Sequence, residues 1–127
     1  MTSSGEVRLA VPAMPEFLRL ARLTAAGLAS RLGFTYDEVE DLRIAIDELC
    51  FSLVGTRGRP GTIALTYSLL PEGLLVEGTG VFDADTEIQP TLSPLSQQIL
   101  QAVVDEHELA SGEDGPRFRL LKRHSAD

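Results

Sequence analysis

The strongest local constraint on this chain is a helix start at Thr35. Its hydroxyl can cap a helix while Glu38, three residues on, reaches back to the Thr35 amide. Phe34 before the cap and Val39 after it can close a hydrophobic staple. Val39, Leu42, Ile46, Leu49 and Leu53 then recur at helical spacing. The reading is a long amphipathic helix that ends near Val54, where Gly55-Thr56-Arg57-Gly58-Arg59-Pro60-Gly61 begins a loop. A helix with one apolar stripe has to lie against a second layer.

The flanking segments supply that layer. Val7-Arg8-Leu9-Ala10-Val11 alternates as a strand does, with Val7, Leu9 and Val11 on one face. Pro12 and Pro15 close it and open a helix from Glu16 to about Leu32, whose face is read as Phe17, Leu20, Ala21, Ala25 and Leu28. Thr62 to Leu69 and Leu74 to Gly78 form a hairpin across Leu70-Pro71-Glu72-Gly73, with Ile63, Leu65 and Tyr67 on one side. Residues 81–92 are acidic and aperiodic and read as a loop. Ser93 and Pro94 open a third helix with Leu95, Ile99, Ala102 and Val103 as its face. A short segment around Glu108-Leu109-Ala110, a turn at Gly112–Gly115 and a strand Arg117–Lys122 complete the chain. The order predicts an α+β two-layer sandwich, with about five strands in a mixed or antiparallel sheet covered on one face by three helices. The domain is expected over residues 7–123, with residues 1–6 as a flexible N-terminus and residues 124–127 as a C-terminal tail.

Composition excludes several functions. At 127 residues the chain is one domain's worth. A formal net charge of -8 disfavours nucleic-acid binding, because an acidic surface releases no phosphate counterions. The same charge serves solubility, or an acidic face for a basic partner. No apolar run reaches the roughly 20 residues of a membrane span, and no secretion signal opens the chain. With one cysteine, Cys50, no internal disulfide can form, so a reducing, cytoplasmic setting is expected. The sequence has no asparagine, and its one lysine is Lys122, so a Walker-type phosphate loop is absent. His107 and His124 lie far apart with no metal-ligand spacing.

The segment Asp41-Leu42-Arg43-Ile44-Ala45-Ile46-Asp47-Glu48-Leu49-Cys50 resembles the N-box helix of the GHKL ATPase superfamily. More narrowly it is similar to the anti-sigma-factor serine/threonine kinases, whose element order this chain follows along nearly its whole length. The resemblance implies a Bergerat-type ATP-binding fold. It also implies ATP and magnesium as cofactors, a sigma factor and a STAS-domain anti-sigma antagonist as partners, and a homodimer. In the family the N-box glutamate is the general base, a position held here by Glu48. An asparagine four residues later holds the magnesium; here that position is Ser52. The first glycine box, V-x-D-x-G-x-G, aligns with Val76-Glu77-Gly78-Thr79-Gly80-Val81-Phe82. Gly78 replaces the adenine-binding aspartate, Gly80 is kept, and Phe82 replaces the second glycine. The second glycine box falls on Pro94-Leu95-Ser96-Gln97-Gln98-Ile99-Leu100, which has no glycine.

These substitutions leave the fold and its surface while thinning the nucleotide site. The leading expectation is an anti-sigma-type regulator that acts by binding, with an eroded ATP site at Gly78, Gly80 and Ser52. An active kinase using Glu48, and a small-ligand sensor reusing the old pocket, are the alternatives. Glu48 fits a vestigial pocket or a solvated surface equally. Cys50 is expected as a buried small apolar residue. Asp83, Asp85 and Glu87 read as a solvated loop rather than a cation site, His107 as an exposed histidine, and Arg57 and Arg59 as solvent-facing loop cations, with a phosphate site as the alternative.

Overall fold

The computed structural model describes residues 5–83, 90–113 and 115–125. Strand β1 (Glu6–Pro12) leads through a 3₁₀ turn at Pro15–Phe17 into α1 (Leu18–Arg31). After α2 (Tyr36–Val54) come β2 (Gly61–Leu70), β3 (Gly73–Phe82), α3 (Pro94–Val103), β4 (Glu106–Gly112) and β5 (Gly115–Arg123). The five strands form one sheet in the order β1-β2-β3-β5-β4. Every pairing is antiparallel, so the sheet is not mixed.

The register assigns each strand residue to a face. Ile63, Leu65, Tyr67, Leu74, Val76, Phe118 and Leu120 point to one side and join a single buried cluster with Leu42, Ile46, Leu49 and Leu53 of α2. Each such aliphatic side chain contributes about 1.5–3 kcal/mol by leaving water. The Tyr67 hydroxyl is satisfied there, donating to the Ala21 carbonyl of α1 at 3.0 Å. Lys122 leans from β5 to Asp41 of α2, with 3.6 Å between Nζ and Oδ2. This is the α+β sandwich expected from the element order.

The α2 start is as read. Thr35 Oγ1 accepts from the Glu38 amide at 3.2 Å and Glu38 Oε1 accepts from the Thr35 amide at 2.8 Å. Phe34 is buried and Val39 packs on the same cluster. The end of the chain joins this corner too. The Ser125 amide donates to Glu38 Oε2 at 2.8 Å, and the His124 ring meets Phe34 edge-on with centroids 5.8 Å apart.

Several expectations are corrected. α1 begins at Leu18 and buries Leu18, Ala21, Ala25 and Ala29, while Phe17 and Leu20 are exposed. The small alanine face lets α1 approach α2 closely, and burying Leu20 would hold the two helices apart. Val7 stands at the margin of its sheet face and is exposed. In α3 the buried residues are Leu100 and Val103, while Leu95 is 66% exposed. Val81 and Phe82 belong to β3, since they pair with Thr62 and Gly61 of β2. Residues 84–89 of the expected loop, with Asp85 and Glu87, lie outside the described residues. The segment around Glu108 is a seven-residue edge strand. No helix among the described residues is long and apolar enough to cross a membrane.

Candidate functional site

Glu48 and Ser52 stand one turn apart on α2, and both are half-buried. Glu48 borders a groove of about 340 Å³ between the start of α1 and α2, with Pro15, Leu18, Arg22, Asp47, Phe51 and Thr56. Arg22 and Asp47, which sequence reasoning did not single out, form an ion pair of 2.7 Å that bridges α1 and α2 in this groove. Their partnership spans 25 positions, so no local pattern announces it. Ser52, Gly78 and Gly80 do not line this groove. The Ser52 hydroxyl donates back to the Leu49 carbonyl of its own helix at 2.6 Å. That bond is the usual way a mid-helix serine satisfies its proton.

Gly78 and Gly80 lie buried in β3, facing the helices. The space in front of each is filled by an aromatic ring. A Cβ on Gly78 would lie 2.6 Å from Cζ of Phe118, its partner across β5. A Cβ on Gly80 would lie 2.7 Å from Cζ of Phe82. Phe118 is 2% exposed and Phe82 packs against the same apolar cluster. Apart from Tyr67, no side chain bearing a hydroxyl or a charge is fully buried among the described residues.

The start of α3, where the resemblance puts the second glycine box, is closed by its own cap. Ser93 Oγ accepts from the Ser96 amide at 3.0 Å, and Pro94 has no N–H to offer. Helix starts bind phosphates through free amides, and this one has two of its first three positions committed or absent. Cys50 is buried on α2, as read. Burial, reinforced by the Asp47 charge and opposed by Arg22, pushes its thiol up to about 12. Such a thiol is an inert packing group.

Comparison with known proteins agrees with the N-box. No protein-family profile matches the chain. The chain is 31% identical over 144 residues to Serine-protein kinase RsbW of Bacillus pumilus (strain SAFR-032), covering 95% of this chain and 89% of that protein. It is 38% identical over 90 residues to Serine-protein kinase RsbW of Bacillus subtilis (strain 168), covering 65% of this chain and 56% of the relative. The same-named protein of Halalkalibacterium halodurans is 37% identical over 93 residues, covering 70% and 57%. The first alignment is longer than this chain's 127 residues, so that relative carries residues this chain lacks. With the match extending over nearly all of both chains, and an open five-stranded sheet and three helices consistent with the GHKL fold, the chain belongs to the RsbW-like family of anti-sigma-factor serine kinases.

Proposed function

We propose that this chain is a cytoplasmic anti-sigma-type regulator that acts by binding a sigma factor, a STAS-type antagonist, or both, without needing ATP. The observation that carries the reading is the aromatic filling of the first glycine box, with Phe118 in front of Gly78 and Phe82 in front of Gly80. An adenine amino group requires a carboxylate at a buried position, and an unpaired buried polar group there would be costly. Here that position is a glycine under a phenyl ring. On this reading the residues at the family's adenine, magnesium and phosphate positions do not fit ATP. Ser52 spends its proton on its own helix, and the α3 start is capped by Ser93. A binder needs only the fold and its surface. The proposed domain spans residues 7–123, and it works as a homodimer in keeping with the family. The test is capture of a sigma factor or STAS antagonist with and without ATP and magnesium. Equal capture in both conditions supports the reading, and strict dependence on nucleotide overturns it.

An active kinase is the second reading, favoured by one observation. Glu48 keeps the general-base position and faces a groove rather than bulk solvent alone. This reading predicts magnesium- and ATP-dependent phosphorylation of the antagonist, lost in Glu48→Ala. The same groove, with its Arg22–Asp47 pair, is where a small-ligand sensor would hold a non-nucleotide ligand.

A further inference from the structure

β4 (Glu106–Gly112) is an edge strand, paired with β5 alone. Among the described residues, no other backbone bonds the outward amides and carbonyls of this strand. Edges are usually blunted by proline, lysine or a bulge. β4 has no proline and no lysine, and its register runs without a bulge from Glu106↔Leu121 to Gly112↔Gly115. A trough follows this edge. One part, of about 520 Å³, borders Gln101, Asp105, Glu106 and Arg119. The other, of about 430 Å³, borders Leu92, Gln97 and Leu109. The two meet at His107 and Glu108. Gln97 and Gln101 stand one turn apart on α3 and are exposed, so their amides form a wall that can bond a second backbone.

We propose that this edge takes up an extended, basic segment of a partner protein as an added strand. Strand addition bonds backbone to backbone, and side chains at alternate positions set specificity. The register decides which side chains those are. Glu106 and Glu108 point to the open face of the sheet, opposite Leu121 and Arg119. His107 and Leu109 point toward the helices, opposite Leu120 and Phe118. An added strand sets one phase of its side chains beside the two glutamates and the other beside His107, Leu109 and Leu92. The segment that fits therefore alternates basic with apolar residues. Glu108 takes part in no ion pair among the described residues. Glu106 is held by Arg119 and Arg123, and its carboxylate has lone pairs left. The net charge of -8 attracts the same kind of segment from a distance. A second copy of this chain is a poor occupant, because the antiparallel register centred on His107 sets glutamate against glutamate. β1, the other edge, offers no such acidic pair, since Arg8 bonds Glu6 within the strand at 3.0 Å.

This surface is additional to the binding function proposed above and does not depend on it, because the probe is a peptide rather than a sigma factor or an antagonist. The probe is a fluorescein-labelled peptide of alternating lysine and valine, about nine residues long, read by anisotropy against the full chain. It is expected to bind at roughly 100 µM or below, with added hydrogen-exchange protection at the amides of β4. The same peptide N-methylated at every amide keeps its charge but can donate no backbone hydrogen bond. It is expected to bind more than about tenfold more weakly. Glu108→Lys weakens binding of the first peptide at least about threefold. Glu16→Lys, the same charge change at an exposed residue before α1, leaves it within about twofold. If Glu108→Lys fails to fold by circular dichroism, the two peptides still decide the matter on the unaltered chain. No binding at about 1 mM, a folded Glu108→Lys that binds unchanged, or protection that falls outside β4 would each overturn the edge as a docking site. Equal binding of the N-methylated peptide would overturn it too, leaving charge attraction alone. A chain that ignores the peptide and still captures a sigma factor loses this surface and keeps the binding function.

Discussion

The ring of Phe118 fills the space in front of Gly78, its cross-strand partner on β3. The two residues come from strands about 40 positions apart in sequence, and together they make the space in front of Gly78 closed apolar core.

An aspartate at position 78 is therefore destabilising. Gly78→Asp has to displace a buried ring and bury a charge, which costs at least about 3 kcal/mol. Urea denaturation reads this directly, as a lowered midpoint. A variant as stable as the parent would mean that the Phe118 ring moves aside easily.

On the proposed reading, Ser52→Asn puts an asparagine at the position matched to the family's magnesium ligand. It is expected to bind ATP no better than the parent, because Phe118, Phe82 and the Ser93 cap are unchanged. Stability should shift by less than about 1 kcal/mol, since Ser52 bonds only within its own helix. Calorimetry with ATP and magnesium reads the first expectation, and thermal melting the second.

The capping box makes a third test. Thr35→Ala should cost about 1 kcal/mol. The Thr35 amide, more than any other partner, holds the Glu38 carboxyl below the ordinary glutamate range, and the Ser125 amide adds to this while desolvation opposes it. A depressed carboxyl stabilises the fold above its unfolded value and loses that contribution as pH falls through the folded value. Glu38→Gln should accordingly flatten the acid limb of a stability–pH profile and leave the neutral slope alone.

Cys50 gives a fourth. Its thiol is raised to about 12 by burial. A raised thiol favours the folded state fully below the unfolded thiol's value, and the benefit is lost as pH climbs toward 12. Ellman's reagent should leave the native protein unlabelled near pH 8 and label it on unfolding. Rapid native labelling would place Cys50 at the surface.

Local chemistry made part of this molecule legible in advance. The Thr35–Glu38 box, the α2 stripe and the Ile63-Leu65-Tyr67 face depend on neighbours a few residues apart, and all three stand in the structure. α1 was harder because leucines surround it. Leu18, Leu20, Leu23 and Leu28 define no single stripe, and the close fit of Ala21, Ala25 and Ala29 selects the buried side. The end of β3 was missed because Gly78 and Gly80 weaken strand propensity, and pairing with Thr62 and Gly61 extends it regardless. At the site, a glycine at position 78 and a phenylalanine at position 82 were visible as residue identities. That Phe118 would fill the space in front of Gly78, or that Arg22 would meet Asp47, depends on strand and helix pairing that no local window contains.

The most direct measurement is calorimetric titration of the folded protein with ATP and magnesium, with ADP as the control. The account predicts no binding heat at nucleotide concentrations of about 1 mM, alongside capture of a sigma factor or STAS antagonist in the same buffer. Binding in the micromolar range would contradict it, and would mean that Phe118 and Phe82 leave Gly78 and Gly80 open to an adenine ring.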